Sequence, residues 1–327
     1  MATRMKPEAA AILVADDLRK SYEGVPALRG LTFSLQAGRI LGFLGPNGAG
    51  KTTAIRILTT VLRPDSGHFL VDGISWDAPE RIRSRIGVLP ESLGFPKHLT
   101  GLEFLTYFGR HYGRTKKEAR DYGLALLREV NLQDRGRSLI RTYSRGMRQR
   151  LGIARALVND PVVVFLDEPT LGLDPAGQEE LLSMIKRIAR DRRAGVVLCS
   201  HHLSEIERIC DDVVILRAGQ VVASGSVGEV VGQGQRHAIR IHVPTPSVAT
   251  ARDLFKALPD VKNVALSAAA PDWLEVEPAD TTAMANGHVA NRLLAVLLRA
   301  EIPVLSLEAE GGSLHDAFLQ LTQEATK

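Results

Sequence analysis

The chain has few cysteines, few aromatic residues and no long apolar run. It is 327 residues long, contains two cysteines, and has 5% aromatic residues. Two cysteines cannot form the disulfide framework of a small secreted protein, so the composition fits a reducing cytosol. The longest uninterrupted apolar run, residues 9–15, covers seven residues, whereas a membrane-spanning helix needs about 20. We therefore expect no membrane-spanning helix, and any action at a membrane then requires a partner protein.

A strong excess of one charge is also absent. The chain carries 41 Lys and Arg against 37 Asp and Glu, a net charge of +4, which is too small to indicate nucleic-acid binding by itself. A basic run over residues 135–150 contains one aromatic residue, Tyr143. It lacks the interleaved aromatic side chains on which nucleic-acid bases stack. We expect no nucleic-acid partner.

What remains is the composition of a globular protein with two domains. The chain has 45% apolar and 24% charged residues, and its length exceeds what one hydrophobic core usually organises. Glycines cluster at positions 225, 228, 232 and 234, and the net charge changes from +7 over residues 1–235 to −3 over residues 236–327. We therefore predict domains at 1–230 and 231–327.

The spacing of apolar residues predicts an α/β fold. Short apolar strands at 31–35, 40–44, 68–72, 162–166, 196–199 and 213–217 alternate with helical patterns, which predicts a mostly parallel sheet. Residues 91–160 show helical spacing without a strand, so we predict a helical subdomain there. Residues 239–322 follow the order β-α-β-β-α-β-α, with a strand at 302–307, which predicts a small ferredoxin-like α/β domain.

A complete phosphate-binding loop follows the apolar strand 40–44 and opens a helix. It reads Gly45-Pro46-Asn47-Gly48-Ala49-Gly50-Lys51-Thr52-Thr53. Glycines let the backbone wrap so that successive N–H groups point at a phosphate, and the start of the helix adds its positive dipole end. The lysine reaches the β- and γ-phosphates, and the first threonine binds Mg²⁺. This strand, loop and helix order predicts a nucleoside triphosphate site that binds Mg²⁺.

A pair of acidic residues completes the predicted site. Asp167 and Glu168 end the apolar run 162–166, and ligands of open α/β sheets bind at the carboxyl ends of strands. Asp167 fits a residue that orients the metal, and Glu168 fits a base that activates water for attack on the γ-phosphate.

With these motifs in order, residues 11–230 resemble the nucleotide-binding subunit of an ATP-binding cassette (ABC) transporter. In that family an aromatic residue at the position of Tyr22 stacks on adenine, and a histidine at the position of His201 acts as a switch near the γ-phosphate. The segment Tyr143-Ser144-Arg145-Gly146-Met147 lies where the family has its signature sequence. The resemblance implies that Ser144 and Gly146 contact ATP held by a partner subunit. Asp174 lies in the segment that contacts that partner.

The sequence departs from the family pattern at two places. Three of the five signature positions differ from the common Leu-Ser-Gly-Gly-Gln, and this variant resembles an exporter-type branch. Arg145 either adds charge at the phosphates or is simply solvated. Glu91 stands where the family usually has glutamine. It is either a Mg²⁺ ligand or a surface glutamate on a mobile loop.

The resemblance implies a mechanism and its partners. One chain carries one phosphate loop and one signature, so a head-to-tail homodimer with two shared ATP sites is expected. The family also implies a separate integral-membrane permease, whose cytoplasmic helices contact the helical subdomain near the aromatic residues of 95–112. The subunit is then cytoplasmic and peripheral on the inner face of the membrane.

Two other functions stay open at this point. A soluble ABC ATPase without transport is one, although such relatives resemble double cassettes or carry long coiled-coil insertions. An importer subunit with a regulatory C-terminal domain is the other. The terminal run 313–318, Ser-Leu-His-Asp-Ala-Phe, resembles the ending of exporter-type subunits and favours export.

Overall fold

The computed structural model describes residues 11–92, 94–200, 202–233, 239–267, 270–279, 288–309 and 313–323. The chain divides into two compact units, Met1–Val230 with Leu321–Lys327, and Val231–Gln320. Within the described ranges, no helix combines the length and the apolar character that crossing a membrane requires.

The first unit alternates strands and helices. Its strands are β1 (Ala11–Tyr22), β2 (Val25–Gln36), β3 (Ile40–Leu44), β4 (Ser66–Val71), β5 (Ile74–Ser75), β6 (Ile86–Leu89), β7 (Val163–Asp167), β8 (Gly195–Cys199), β9 (Asp212–Arg217) and β10 (Gln220–Ser226). Its helices are α1 (Lys51–Leu58), α2 (Pro79–Arg83), α3 (Gly101–His111), α4 (Lys116–Glu129), α5 (Arg145–Ala156), α6 (Pro175–Arg192) and α7 (Leu203–Ile209), and α8 (Val227–Gln233) runs across the unit boundary.

Two sheets enclose the core of the first unit. The larger has the order β10-β9-β3-β8-β7-β6, and its strands are parallel except for β10, which is antiparallel to β9. The smaller sheet, β2-β1-β4-β5, is antiparallel. Every residue of β3 and β8 is buried, because strands in the middle of a parallel sheet are covered on both faces. The predicted α/β architecture with a mixed sheet is confirmed.

A helical segment separates β6 from β7. It contains α3, α4 and α5, and two of these helices begin with capping boxes. The Thr100 and Thr115 hydroxyls accept from backbone N–H groups, and Glu103 and Glu118 bind back to the cap residues. These caps satisfy donors that a helix start otherwise leaves unpaired. Local sequence therefore fixes where α3 and α4 begin.

The second unit contains an antiparallel sheet with helices between its strands. Its elements are β11 (Ile239–His242), α9 (Val248–Lys256), β12 (Val261–Ser267), β13 (Ala270–Pro278), α10 (His288–Arg299) and β14 (Ser306–Ala309), followed by α11 (Leu314–Gln323). The sheet order is β12-β13-β11-β14. Ile239 and Ile241 of β11 are buried in this unit's core, and Arg240 and His242 alternate with them. This is the alternation that predicted the strand.

One strand prediction in this unit is wrong at its start. The sequence pattern placed a strand at 302–307, but β14 begins at Ser306. Pro303 has no N–H to donate to a sheet ladder, and the first bond to the neighbouring strand runs from the Leu305 N–H to the His242 carbonyl oxygen at 2.9 Å. The ladder therefore starts after the proline.

Candidate active site

The phosphate loop connects β3, one of the two central strands of the large sheet, to α1. Its strand, β3, is fully buried, so the loop begins at the carboxyl end of a parallel strand, where ligands of α/β sheets bind. Gly50 precedes the helix in a left-handed conformation, and no side chain caps α1. The first backbone N–H groups of α1 therefore point at the loop without a side-chain acceptor, which suits an anion.

Two glycines of this loop have no space for a side chain. A Cβ atom on Gly50, which has φ +107°, would lie 2.5 Å from the Ala27 carbonyl oxygen. A Cβ on Gly45 would overlap the Leu216 carbonyl oxygen. Only glycine combines positive φ with this close approach of other backbone, so the fold holds the loop tightly against β2 and β9.

Lys51 is already folded over the phosphate loop. Its Nζ donates to the Gly45 carbonyl oxygen at 2.6 Å and to the Pro46 carbonyl oxygen at 3.2 Å. The loop is tied in turn to the β9–β10 turn, since the Gly219 N–H donates to the Ala49 carbonyl oxygen at 3.0 Å. The ammonium group is thus positioned before any nucleotide arrives.

A cleft of about 500 Å³ lies over the loop, and we call it the phosphate cleft. It brings the loop together with the acidic residues that the sequence singled out. Its lining residues are Ala27, Asn47, Gly48, Ala49, Gly50, Lys51, Thr52, Thr53, Glu91, Asp167, Glu168 and Leu171. The side chains that line it supply a cation, hydroxyl groups and carboxylates, which are the groups a metal-bound triphosphate needs.

The phosphate cleft concentrates negative charge around Asp167. Burial raises the pKa of the Asp167 carboxyl, and the nearby carboxylates of Glu91 and Glu168 raise it further, while Lys51 and Arg56 act in the opposite direction. A carboxylate held among like charges in a partly dry site is poised to accept a cation. The described residues contain no cluster of three His, Cys, Asp or Glu arranged for a metal.

The remaining predicted site residues lie outside the phosphate cleft or outside the described residues. Tyr22 is exposed at the end of β1. Ser144 caps α5, and its hydroxyl accepts from the Met147 N–H at 3.2 Å. Asp174 precedes α6. His201 lies outside the described residues, so the structure places only its neighbours.

Comparison with known proteins identifies the family. A family model described as ABC transporter matches residues 28–171. The chain is 31% identical over 313 residues to the linearmycin resistance ATP-binding protein LnrL of Bacillus subtilis, covering 95% of this chain and 98% of that protein. It is 34% identical to the daunorubicin/doxorubicin resistance ATP-binding protein DrrA of Streptomyces peucetius, and the match covers 93% of this chain and 90% of that protein. The chain belongs to the ABC transporter family.

The solved structures agree with this assignment. The dimeric structure of MJ0796, a bacterial ABC transporter cassette, is 25% identical with a TM-score of 0.59, covering 65% of this chain and 98% of that chain. This ABC protein is therefore an ATPase subunit, as the phosphate loop and the acidic pair predicted.

The ABC signature segment is anchored within its own subunit. The Tyr143 hydroxyl donates to the Arg135 carbonyl oxygen at 2.7 Å, and its ring is 3% exposed. It lies against Gly101 at the start of α3, where a Cβ atom would overlap the hydroxyl. The first signature residue of this variant thus ties the segment to the helical region.

Arg145 is exposed, and it also makes a contact within the subunit that the sequence did not predict. Its guanidinium covers Gly172, and a Cβ atom there would overlap it. Gly172 has φ +72°. Glycine adopts this left-handed backbone conformation readily, and its lack of a side chain leaves room for the Arg145 guanidinium. Within one ABC subunit, Arg145 therefore links the signature to the segment that leads from Glu168 to Asp174.

Sequence reasoning missed some residues of the ABC site. Ala27 and Leu171 line the phosphate cleft, and Thr170 is fully buried behind it. Thr170 and Leu171 lie within three residues of Glu168, so their proximity to the motif was a usable signal. Ala27 comes from β2, and no local pattern links it to the loop.

Proposed function

We propose that this chain is the motor of an exporter in which two copies bind ATP between them and drive a separate membrane protein. The phosphate cleft carries this proposal, because it unites the loop with Asp167, Glu168 and Glu91. The resistance relatives support export, and their names attach drug resistance to those proteins only.

ATP binding follows from the preformed loop. The residues proposed to hold the phosphates are Gly45, Pro46, Asn47, Gly48, Ala49, Gly50, Lys51, Thr52 and Thr53. Backbone N–H groups at the start of α1 donate to the phosphate oxygens. Lys51 exchanges its bonds with two loop carbonyls for bonds to the β- and γ-phosphates, which are stronger because both partners are charged. Tyr22 is proposed to stack on the adenine.

The chemistry of the residues in the cleft fits Mg²⁺. Thr52 supplies a hydroxyl oxygen and Asp167 a carboxylate, and Glu91 lines the same cleft. Oxygen ligands of this kind, shared with phosphates, are what Mg²⁺ prefers. The raised pKa of Asp167, caused first by burial, indicates charge that a divalent cation would balance. When bound, the ion would neutralise charge on the β- and γ-phosphates.

Glu168 is proposed to be the general base for hydrolysis. It follows Asp167 directly at the end of β7 and lines the phosphate cleft. Its backbone has φ +48°, a conformation that non-glycine residues adopt rarely and that is found at active sites. It accepts the proton of the attacking water as the γ-phosphate bond breaks. His201 is proposed to support the same step as a switch.

The shared site explains the residues that lie away from the cleft. Ser144 and Gly146 begin α5, a 12-residue helix, and they do not line the cleft of their own subunit. In a head-to-tail homodimer they would face the partner's ATP and donate to its γ-phosphate. Asp174 would lie at that interface. The dimeric cassette of known structure supports this arrangement.

The membrane partner is proposed to bind the aromatic surface of the helical region. Phe104 lies 5.2 Å from Phe95 and 5.0 Å from Phe108, measured between ring centroids. Tyr107 packs edge-on against Phe108 and is 64% exposed. An exposed aromatic residue next to partly buried and buried aromatic rings suits a protein interface. Binding there would hold the subunit at the inner face of the membrane.

The second unit is proposed to be a ferredoxin-like accessory domain. Its strands and helices follow the order β-α-β-β-α-β. The two central strands of its sheet are β13 and β11, which are the third and the first strands of this unit along the chain. This order supports the ferredoxin-like assignment made from the sequence. The boundary between the domains is proposed at residues 230–231.

The test of this function separates binding from hydrolysis. Glu168→Gln is expected to bind MgATP and accumulate as a dimer, because the phosphate loop is intact while the base is lost. Lys51→Ala is expected to bind ATP poorly, since it loses the charged contact. Nucleotide binding by fluorescence and dimer formation by size-exclusion chromatography measure the two effects. Wild-type hydrolysis by Glu168→Gln would refute the role of Glu168.

A further inference from the structure

A buried carboxylate outside the phosphate cleft has no role in the mechanism so far. Glu205 lies on α7 and is 5% exposed. The described residues include five buried polar or charged side chains, and three of them, Thr170, Ser200 and Glu205, contact one another. A carboxylate is among the costliest groups to bury, so this cluster needs a functional reason.

The cluster is built around one oxygen atom. The Thr170 hydroxyl and the Ser200 hydroxyl both donate to Oε2 of Glu205, each at 2.8 Å. The other carboxylate oxygen, Oε1, is buried and has no hydrogen-bond partner in the described structure. Ser200 also accepts from the His202 N–H at 3.1 Å. The charge of Glu205 is thus directed at two hydroxyl groups.

The two hydroxyls belong to the segments that extend β7 and β8 toward the phosphate cleft. Parallel pairing between these strands reaches Asp167 and Cys199, and the Glu168 N–H donates to the Cys199 carbonyl oxygen at 2.9 Å. Among the residues that the structure describes, no further ladder pair joins the two strands beyond that point. Thr170 follows Glu168 by two residues, and Ser200 follows Cys199. The side chains of this cluster therefore connect the segments that follow β7 and β8, beyond the last main-chain hydrogen bond between the two strands.

The cluster also fixes the turn that carries Glu168. The Leu171 N–H donates to the Glu168 carbonyl oxygen at 3.2 Å, and the Leu173 N–H donates to the Thr170 carbonyl oxygen at 3.1 Å. Thr170 lies between these two bonds and is 0% exposed. Glu168 itself has left-handed backbone, which the surroundings must hold in place. Thr170 is a side chain of this turn that is bonded to another element, through Glu205 on α7.

We propose that Glu205 is a positioning residue for ATP hydrolysis, acting through Thr170 to hold the turn of Glu168 against the end of β8. This inference rests on the proposed role of Glu168 as base. Hydrogen bonds to a carboxylate are short and strong, so the anchor is stiff. A displacement of about 1 Å at a catalytic group can lower a rate by about 10²-fold, so the anchor affects the rate of hydrolysis more than nucleotide affinity.

The test compares variants that keep or remove the anchoring hydroxyl. Thr170→Val removes the hydroxyl at nearly constant shape, and Thr170→Ser retains it. We expect Thr170→Val to lower kcat about tenfold, and Thr170→Ser to stay near the wild-type value. Glu205→Leu removes the acceptor and is expected to lower kcat about 100-fold. Glu207→Gln, on the exposed side of the same helix, is the control and is expected to leave kcat unchanged.

Further measurements separate positioning from a general loss of structure. The dissociation constant and binding stoichiometry of a fluorescent ATP analogue are expected to match the wild type in Thr170→Val, since the phosphate loop is untouched. In a Glu168→Gln background, Thr170→Val is expected to leave the residual single-turnover rate unchanged, because the group it positions is already gone.

The outcomes distinguish the two proposals. Normal hydrolysis by Glu168→Gln would refute the proposed function. Loss of hydrolysis in Glu168→Gln with normal kcat in both Thr170→Val and Glu205→Leu would refute the positioning role alone. If Glu205→Leu does not fold, Thr170→Val decides by itself. A kcat loss that scales with the loss of ATP-binding sites would also refute positioning.

Discussion

Arg192 at the end of α6 connects the sheet-bound part of the first unit to α4. Its Nε and Nη2 atoms donate to the two carboxylate oxygens of Glu129 at 2.7 and 2.6 Å. Its Nη1 atom donates to Asp160 at 2.8 Å and to the Tyr122 hydroxyl at 3.1 Å. The hydrogen bonds to Glu129 are the main reason that the pKa of Arg192 is raised. We predict that Arg192→Met destabilises the first unit.

The structure sets the size of this effect. The side chains of Arg192 and Glu129 are 19% and 25% exposed, so their forked pair is largely but not fully shielded. Breaking a fully buried pair costs about 3–5 kcal/mol, and exposed pairs contribute about 0–1 kcal/mol. Asp160 is 71% exposed and adds little. Discounting for exposure, we expect a loss of about 2–3 kcal/mol in the free energy of unfolding.

Urea unfolding followed by tryptophan fluorescence measures this loss. The chain has two tryptophans, and Trp76 packs against the core of the first unit while Trp273 lies on β13 of the second. In a Trp273→Phe background, Trp76 reports on the first unit alone. Arg190→Met is the matched control, since Arg190 is 81% exposed and pairs with its neighbour. It is expected to change stability by less than about 0.5 kcal/mol.

The comparison of the two arginines can refute the reasoning. If Arg192→Met and Arg190→Met differ by less than about 0.5 kcal/mol, the forked pair does not stabilise the unit. A double variant with Glu129→Gln must also cost less than the sum of the single variants, because the two residues share one interaction. Strict additivity would contradict the assignment.

Three further predictions concern the site and the signature. Gly172→Ala is expected to lower the free energy of unfolding by about 1–2 kcal/mol, because Gly172 has φ +72° and the added methyl overlaps Arg145. Gly48→Ala is the control, since Gly48 has φ +79° but a Cβ atom there would meet nothing within 4 Å. In thermal melts, the loss of stability should be larger for Gly172→Ala than for Gly48→Ala. Burial is the main cause of the raised pKa of Asp167, and the neighbouring carboxylates add to it. Folding therefore disfavours the charged form of this carboxyl. The free energy of unfolding of the nucleotide-free protein is expected to fall as the pH rises through that pKa. Asp167→Asn is expected to remove this pH dependence of stability and to abolish MgATP hydrolysis. If the wild type and Asp167→Asn show the same dependence of stability on pH, the Asp167 carboxyl is not its source. Tyr143→Phe removes the hydrogen bond from the tyrosine hydroxyl to the Arg135 carbonyl oxygen, which keeps its bond from the Ser138 N–H, and a loss of about 0.5–1.5 kcal/mol is expected in urea unfolding.

The sequence by itself predicted the local features of this ABC protein. The strand, loop and helix of the phosphate site are continuous in the chain, from Ile40 to Leu58, so spacing alone indicates their arrangement. Asp167 and Glu168 follow an apolar run in the same way. The helical segment between β6 and β7 was also predicted, because apolar periodicity is a local signal.

Only the tertiary structure decided which distant residues meet. Ala27 reaches the phosphate cleft from β2, and Glu205 lies 35 residues from Thr170 along the chain and bonds it at 2.8 Å. Arg145 and Gly172 come together in the same way. These contacts depend on strand order and on how α7 packs against β3, and neither is encoded in a local pattern. A periodic sequence indicates which face of an element is buried, whereas its neighbour across that face is chosen by the packing of the whole unit.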